Sequence, residues 1–138
     1  MKVLVSACLL GRNCKYNGGN NYHEKLAAFL QDKEVIEVCP EVLGGLPTPR
    51  PCVELVDGIA MDKNGNSADA AFRKGVKISM EKIKGQEIDL VILQSRSPSC
   101  GVKQIYDGSF TGKLVEGSGL FAQELMDAGY RVMDVEDI

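Results

Sequence analysis

The chain has 138 residues and a mass of 15.0 kDa, which suits one domain over residues 1–138 and leaves little room for a second. A hydrophobic fraction of 44% and a charged fraction of 25% exclude disordered and collagen-like chains. A net charge of -3 and a pI near 5.2 argue against a nucleic acid polymer as partner, because phosphate backbones bind basic surfaces. No apolar run reaches the roughly 18 residues of a membrane span, and the start reads as a strand rather than a signal peptide. We therefore expect a cytoplasmic protein that does not contact membranes.

The hydrophobic pattern predicts strands that alternate with helices. In chain order it indicates a strand over 2–6, a helix over about 22–32, a strand over 34–39, a proline-rich loop over 40–51 and a hairpin over 53–62. It continues with a helix from Ser67 to about Gly85, a strand over 89–94, a glycine-rich loop, a helix over about 119–128 and a strand over 131–135. Such alternation implies right-handed crossovers. We predict a three-layer α/β fold whose mainly parallel, Rossmann-like sheet carries helices on both faces.

Five cysteines, at positions 8, 14, 39, 52 and 100, are the unusual feature of the composition. An odd number without a signal peptide argues against a secreted disulfide scaffold and favours metal binding or chemistry. Cys8, Cys39 and Cys100 each lie at or shortly after the end of a predicted strand. Because ligand sites in α/β sheets form outside the carboxyl ends of the strands, we expect these three thiols to converge there.

Three convergent thiolates are soft ligands, which zinc, copper(I) and iron–sulfur clusters prefer. The paired cysteine spacing of zinc sites is missing, whereas iron–sulfur clusters accept scattered ligands and, with three cysteines, keep one iron open to substrate. The alternative is that the three cysteines are small buried apolar side chains. We expect no chemical role for Cys14 and Cys52, although Cys14 is placed to be a fourth ligand or a resolving thiol.

Two polar residues stand close to these cysteines in the sequence. Glu41 follows Cys39 by two positions, and Ser97 precedes Cys100 by three. A carboxylate beside a metal can move protons, and a hydroxyl group can orient or activate a substrate. The alternatives are a solvated loop charge for Glu41 and a turn residue for Ser97.

Other polar features of the predicted strand-end loops have weaker interpretations. Residues 117–122 (GSGLFA) match a G-x-G-x-x-A dinucleotide fingerprint, but too little chain follows to complete a nucleotide-binding unit. We expect instead a helix start whose exposed amide groups can hold an anion. Arg12, Arg50 and Arg96 either attract an anionic substrate or are surface charges.

Four segments of the chain resemble a bacterial family, domain-of-unknown-function family 523, which includes the thiouracil desulfurases. They are residues 6–19 (SACLLGRNCKYNGG), 39–51 (CPEVLGGLPTPRP), 97–101 (SPSCG) and 105–119 (IYDGSFTGKLVEGSG). The resemblance implies a [4Fe–4S] cluster that Cys8, Cys39 and Cys100 hold with one iron open, and catalytic roles for Glu41 and Ser97. It implies a desulfidase that removes sulfur from a small thiolated pyrimidine by a hydrolytic, non-redox route, with the iron–sulfur assembly machinery as a transient partner.

Other classes of function remain open at this point. A sulfurtransferase would carry a persulfide on Cys100, and only one cysteine substitution would then abolish activity. A non-catalytic metal-binding or redox-sensing module would store zinc or form a disulfide, and its iron and sulfide content would distinguish it. A nucleotide-binding enzyme using residues 117–122 would bind a dinucleotide.

Overall fold

Four parallel strands form the central sheet of the structure, a computed structural model that describes residues 1–138. The elements in chain order are β1 (Lys2–Ser6), α1 (Glu24–Leu30), β2 (Glu34–Val38), α2 (Pro40–Leu43), β3 (Val53–Val56), β4 (Ile59–Asp62), α3 (Asp69–Ile83), β5 (Leu90–Leu93), β6 (Gln104–Tyr106), β7 (Leu114–Glu116), α4 (Leu120–Asp127) and β8 (Val132–Asp134). The order in the central sheet is β2-β1-β5-β8, and every neighbouring pair is parallel. The predicted parallel sheet is confirmed.

The two faces of this sheet are covered by different helices. Successive side chains of a strand point to opposite faces, so Leu4 packs with α3 and α4 whereas Val3 and Val5 pack with α1. All four residues of β5 are buried, as expected for a central parallel strand. The chain therefore has the predicted three-layer α/β fold.

The segment predicted as a proline-rich loop begins with a short helix, α2, which the sequence pattern did not indicate. Pro40 suits its first position because a first-turn N–H has no partner within the helix, and Cys39 is the N-cap. Two glycines let α2 lie directly on α3. A Cβ atom on Gly75 would lie 1.7 Å from the Pro40 carbonyl oxygen, and one on Gly44 would lie 2.0 Å from that of Ala71. This contact fixes the position of α2 at the edge of the sheet.

The glycine-rich segment predicted as a loop contains a hairpin, β6–β7, in which Gln104 pairs with Glu116 and Tyr106 with Leu114. Gly108 and Gly112, at φ of 92° and 83°, shape the connection between its strands. Glycine and short strands weakened the alternating hydrophobic signal, and the hairpin was therefore missed. The predicted hairpin at 53–62 is confirmed as β3–β4.

The helix ends differ slightly from the prediction. α1 begins after His23, whose Nδ1 accepts the Leu26 N–H at 3.2 Å, so the only histidine is an N-cap. α3 begins after Ala68 rather than Ser67, although the Ser67 hydroxyl accepts the Asp69 N–H at 3.3 Å. None of the helices has both the length and the apolar character needed to cross a bilayer.

Candidate active site

A cavity of about 460 Å³ lies at the carboxyl edge of the central sheet. The predicted convergence is present there, because Cys8, Cys39 and Cys100 all line it. Cys14 and Cys52 line it as well, so the structure brings together all five cysteines, and none forms a disulfide. The absence of a chemical role for Cys14 and Cys52 stays a prediction. A second cavity, about 500 Å³ in volume and lying between α3 and α4, has no cysteine.

Each of the three strand-end cysteines is held by a different local structure. Cys8 lies in a 3₁₀ turn, Ala7–Leu10, that begins as soon as β1 ends, and Asn21 Nδ2 donates to its sulfur at 3.5 Å. Cys39 joins β2 to α2. Cys100 lies in the loop after β5 and is 5% exposed.

The loop around Cys100 is organised by Ser97. Its Oγ accepts the N–H groups of Ser99 and Cys100 at 3.1 and 2.9 Å. Both acceptor positions of this hydroxyl oxygen are therefore occupied, and its hydrogen is free to be donated. Ser97 is half-buried and lines the cavity.

The N-terminus of α4 is hydrogen bonded to the loop around Cys100. Leu120 N–H donates to the Pro98 carbonyl and Phe121 N–H to the Ser99 carbonyl, both at 2.9 Å. Gly119 fits only as glycine, since a Cβ atom would lie 2.5 Å from the Ser99 carbonyl carbon. The prediction that this helix start exposes amide groups to an anion is wrong, because loop carbonyls already accept those N–H groups.

Glu41 lies on the cavity wall, in the first turn of α2, with both carboxylate oxygens hydrogen bonded. Its Oε1 accepts from Arg50 Nε at 3.2 Å, and its Oε2 accepts from the Ser99 hydroxyl at 2.8 Å. The Arg50 and Glu41 side chains are only 4% and 13% exposed. Sequence reasoning missed Ser99, a buried serine whose Oγ also lies 3.0 Å from Ser97 Oγ. The signal available was its position between Ser97 and Cys100.

Arg50 donates hydrogen bonds to Glu41 and to two loops of the site, one containing Cys14 and one containing Pro47 and Thr48. Its Nη1 donates to the Pro47 carbonyl at 3.2 Å and to Thr48 Oγ1 at 3.0 Å, and its Nη2 donates to the Cys14 carbonyl at 2.9 Å. The guanidinium group is therefore occupied by the protein itself. Arg50 is therefore not a surface charge, because its side chain is buried and paired with Glu41.

The other two arginines of the strand-end loops differ from Arg50. Arg12 is exposed and pairs with Glu37 at 2.8 Å, without lining the cavity. Arg96 lines the cavity and lies 4.0 Å from Glu136 in a largely exposed pair. Arg96 is thus the arginine whose charge remains available at the cavity mouth.

The thiols of the cavity have divergent acidities. A hydrogen bond from the Cys14 thiol lowers the pKa of Cys39 to about 7, and the same thiol is the main cause of a lowered pKa at Cys8. Donating these bonds raises the pKa of Cys14. Burial raises the pKa of Cys100. The surroundings of Cys8 and Cys39 therefore favour the thiolate, which is the form that binds metals, whereas burial disfavours it at Cys100.

Comparison with known proteins assigns the chain to a family. Residues 3–137 match the model of the 2-thiouracil desulfurase family, and the chain belongs to it. The predicted family is confirmed.

Two relatives cover nearly the whole chain. The protein YbbK of Bacillus subtilis (strain 168), described as uncharacterized, is 36% identical over an alignment of 146 residues, gaps included. This alignment covers 99% of this chain and 97% of YbbK. A solved structure of the [4Fe–4S]-dependent thiouracil desulfidase TudS (DUF523Vcz) matches with a TM-score of 0.90 and 33% identity, over 99% of this chain and 92% of TudS. The fold of the chain is therefore that of TudS.

Proposed function

We propose that this chain is a [4Fe–4S]-dependent desulfidase that removes sulfur from a thiolated pyrimidine of the thiouracil type. The observation that carries the proposal is the cavity at the carboxyl edge of the sheet, where three strand-end thiols meet Glu41 and Ser97. The family and the likeness to TudS support it. In this proposal Cys8, Cys39 and Cys100 hold the cluster, and Glu41 and Ser97 are the catalytic residues.

The donor set suits an iron–sulfur cluster. The three thiols come from separate strand ends, and such clusters accept ligands that are scattered along a chain. No three His, Cys, Asp or Glu side chains converge tightly enough for a single metal ion, whereas a cavity of about 460 Å³ has room for a polyatomic group. Burial favours the neutral thiol at Cys100, and a bound metal would deprotonate it. The iron–sulfur assembly machinery would be the transient partner that supplies the cluster.

When bound through three cysteines, the cluster supplies a soft Lewis acid for the substrate sulfur, in the form of an iron with an open coordination position. The chain's own residues would guide the exchange of sulfur for oxygen at the ring carbon. Thiouracil and water then give uracil and hydrogen sulfide. Because no atom changes its oxidation state, the proposed reaction needs no electron donor.

A line of hydroxyl groups supports the roles of Glu41 and Ser97. Ser97 Oγ lies 3.0 Å from Ser99 Oγ, and the Ser99 hydroxyl donates to Glu41 Oε2 at 2.8 Å. Since Ser97 Oγ already accepts two N–H groups, its hydrogen can be donated to Ser99 or to a substrate. In the proposed mechanism Glu41 takes a proton from the attacking water, and Ser97 polarises the ring. Arg50 holds the Glu41 carboxylate in place for this step.

The same geometry disfavours a persulfide carrier at Cys100. A thiol that attacks and transfers sulfur needs a lowered pKa and access to solvent. Cys100 is 5% exposed, and burial raises its pKa. Desulfidation at a cluster is therefore the better account of this cavity.

Turnover of 2-thiouracil by the anaerobically reconstituted protein tests the proposed function. We expect equal amounts of uracil and sulfide without an added reductant, measured by chromatography and a colorimetric sulfide assay. A variant with Glu24→Gln, an exposed glutamate in the first turn of α1, should match the parent. A fully loaded protein that releases no sulfide, or releases it only with an electron donor, would contradict the hydrolytic proposal.

A further inference from the structure

A buried carboxylate on the cavity wall has no part in the chemistry described so far. Glu54 lies on β3, is 9% exposed and lines the same cavity as the cysteines. It forms no ion pair with a lysine or arginine. A carboxylate this far removed from water requires hydrogen-bond donors to compensate for its burial.

One oxygen of Glu54 holds the β6–β7 hairpin against β3. Its Oε1 accepts the N–H groups of Gly108 and Phe110 at 3.0 and 3.1 Å. The two segments approach so closely that a Cβ atom on Gly108 would lie 2.7 Å from the Leu55 carbonyl oxygen. The orientation of the Glu54 carboxylate is therefore fixed by backbone groups.

The other oxygen, Oε2, has no hydrogen-bond donor in the protein. Every fully buried side-chain nitrogen or oxygen of the chain has a partner, so Oε2 is among the atoms that remain accessible. Glu54 lines the cavity, and Oε2 is the carboxylate oxygen that the protein leaves free to accept a hydrogen bond from a ligand. The cavity wall thus contains a carboxylate whose one oxygen is held by backbone N–H groups and whose other oxygen has no partner in the protein.

The chemistry of a thiouracil-type base matches this acceptor. Each thiocarbonyl carbon in such a ring has at least one neighbouring ring N–H. We infer that Glu54 Oε2 accepts a ring N–H of the substrate, and that it is a specificity-determining residue for bases that carry this hydrogen. The inference rests on the proposed function. It assigns the recognition of the ring to Glu54 and leaves the reacting carbon to Glu41 and Ser97.

Glu54→Gln separates the two functions of this side chain. The amide oxygen of glutamine can still accept from Gly108 and Phe110, which turns its NH₂ group towards the cavity. A ring N–H would then meet a donor instead of an acceptor. We expect Kd for uracil and KM for 2-thiouracil to rise about tenfold or more, with kcat changed less than about threefold. Iron and sulfide content should equal that of the parent.

Two N-methylated substrates test the contact without depending on the variant. Methylation of the contacted nitrogen should raise KM of the parent about tenfold, so 1-methyl- and 3-methyl-2-thiouracil should differ. In Glu54→Gln this difference should nearly vanish. Glu116→Gln, which changes an exposed carboxylate on β7, should behave as the parent. The nitrogen identified in this way also decides whether N1-ribosylated substrates fit.

Failure of the inference and failure of the proposed function give different results. Equal KM for both methyl isomers in the parent, or equal uracil affinity in parent and Glu54→Gln, overturns the role of Glu54 even if thiouracil is turned over. A loaded parent that turns over no thiopyrimidine overturns the proposed function. In that case, weaker uracil binding by Glu54→Gln still supports an N–H acceptor at this position. Uracil binding is measured by calorimetry on the reconstituted proteins.

Discussion

Glu41→Gln is expected to lower kcat for 2-thiouracil by about 10²- to 10⁴-fold, the usual contribution of a general acid–base group. Glutamine preserves the shape of the side chain, and its oxygen can still accept from Arg50 or Ser99, which contact Glu41 at 3.2 and 2.8 Å. It cannot take a proton from water. Arg50 keeps its three other acceptors, so we expect the cluster to remain bound. Steady-state kinetics together with iron analysis measure both effects.

The control for this substitution is Glu24→Gln, which removes a carboxylate from the first turn of another helix, α1. It should leave kcat and iron content unchanged. A Glu41→Gln protein with a full complement of iron and parental turnover would exclude the catalytic role of Glu41. Loss of iron in Glu41→Gln would instead assign the carboxylate to holding the site together.

Gly75→Ala is expected to destabilise the protein by about 2–3 kcal/mol, within the range seen when a packed site is overfilled. In most helices this change would be stabilising by about 1 kcal/mol, because alanine is the better helix former. Here the added methyl group would lie 1.7 Å from the Pro40 carbonyl oxygen. Relieving this clash requires α2 to move away from α3, and Cys39 and Glu41 move with it. Turnover should therefore fall together with stability.

Denaturant unfolding of the iron-free proteins measures the loss of stability, because a bound cluster would make the transition depart from two-state behaviour. Lys74→Ala, at an exposed neighbouring position of α3, is the matched control and should stay within about 0.5 kcal/mol of the parent. An unchanged or increased free energy of unfolding in Gly75→Ala would show that α2 is not fixed by this contact.

The central sheet and the meeting of three cysteines could be predicted from the sequence. β1 and β5 are mainly apolar runs, β2 is a short β-branched segment that stops before Pro40, and parallel strands end at one edge. Cys8, Cys39 and Cys100 follow those strand ends. The strand order and direction were therefore sufficient to predict that the three thiols line one cavity. The resemblance of four segments to a known family then favoured an iron–sulfur desulfidase over the other functions that three cysteines allow.

The residues that hold the site in place could not be predicted, because their roles depend on contacts between segments that are distant in the sequence. Ser99 reaches Glu41 across 58 positions, and Glu54 holds a hairpin more than 50 positions away. Nothing in the local pattern around Arg50 indicates that its donors are used within the protein. The helix α2 was missed because so short a segment, with a proline at its first position and glycines directly after it, resembles a loop.

The most direct test of the account is the iron and acid-labile sulfide content after anaerobic reconstitution. The parent should contain roughly four of each per chain, and the alanine variants of Cys8, Cys39 and Cys100 should each lose the cluster. Cys52→Ala is the matched control, since Cys52 lines the same cavity and is not among the proposed ligands. It should retain the parental content. A parent that takes up no iron, or a full cluster in any of the three ligand variants, would contradict the proposed site.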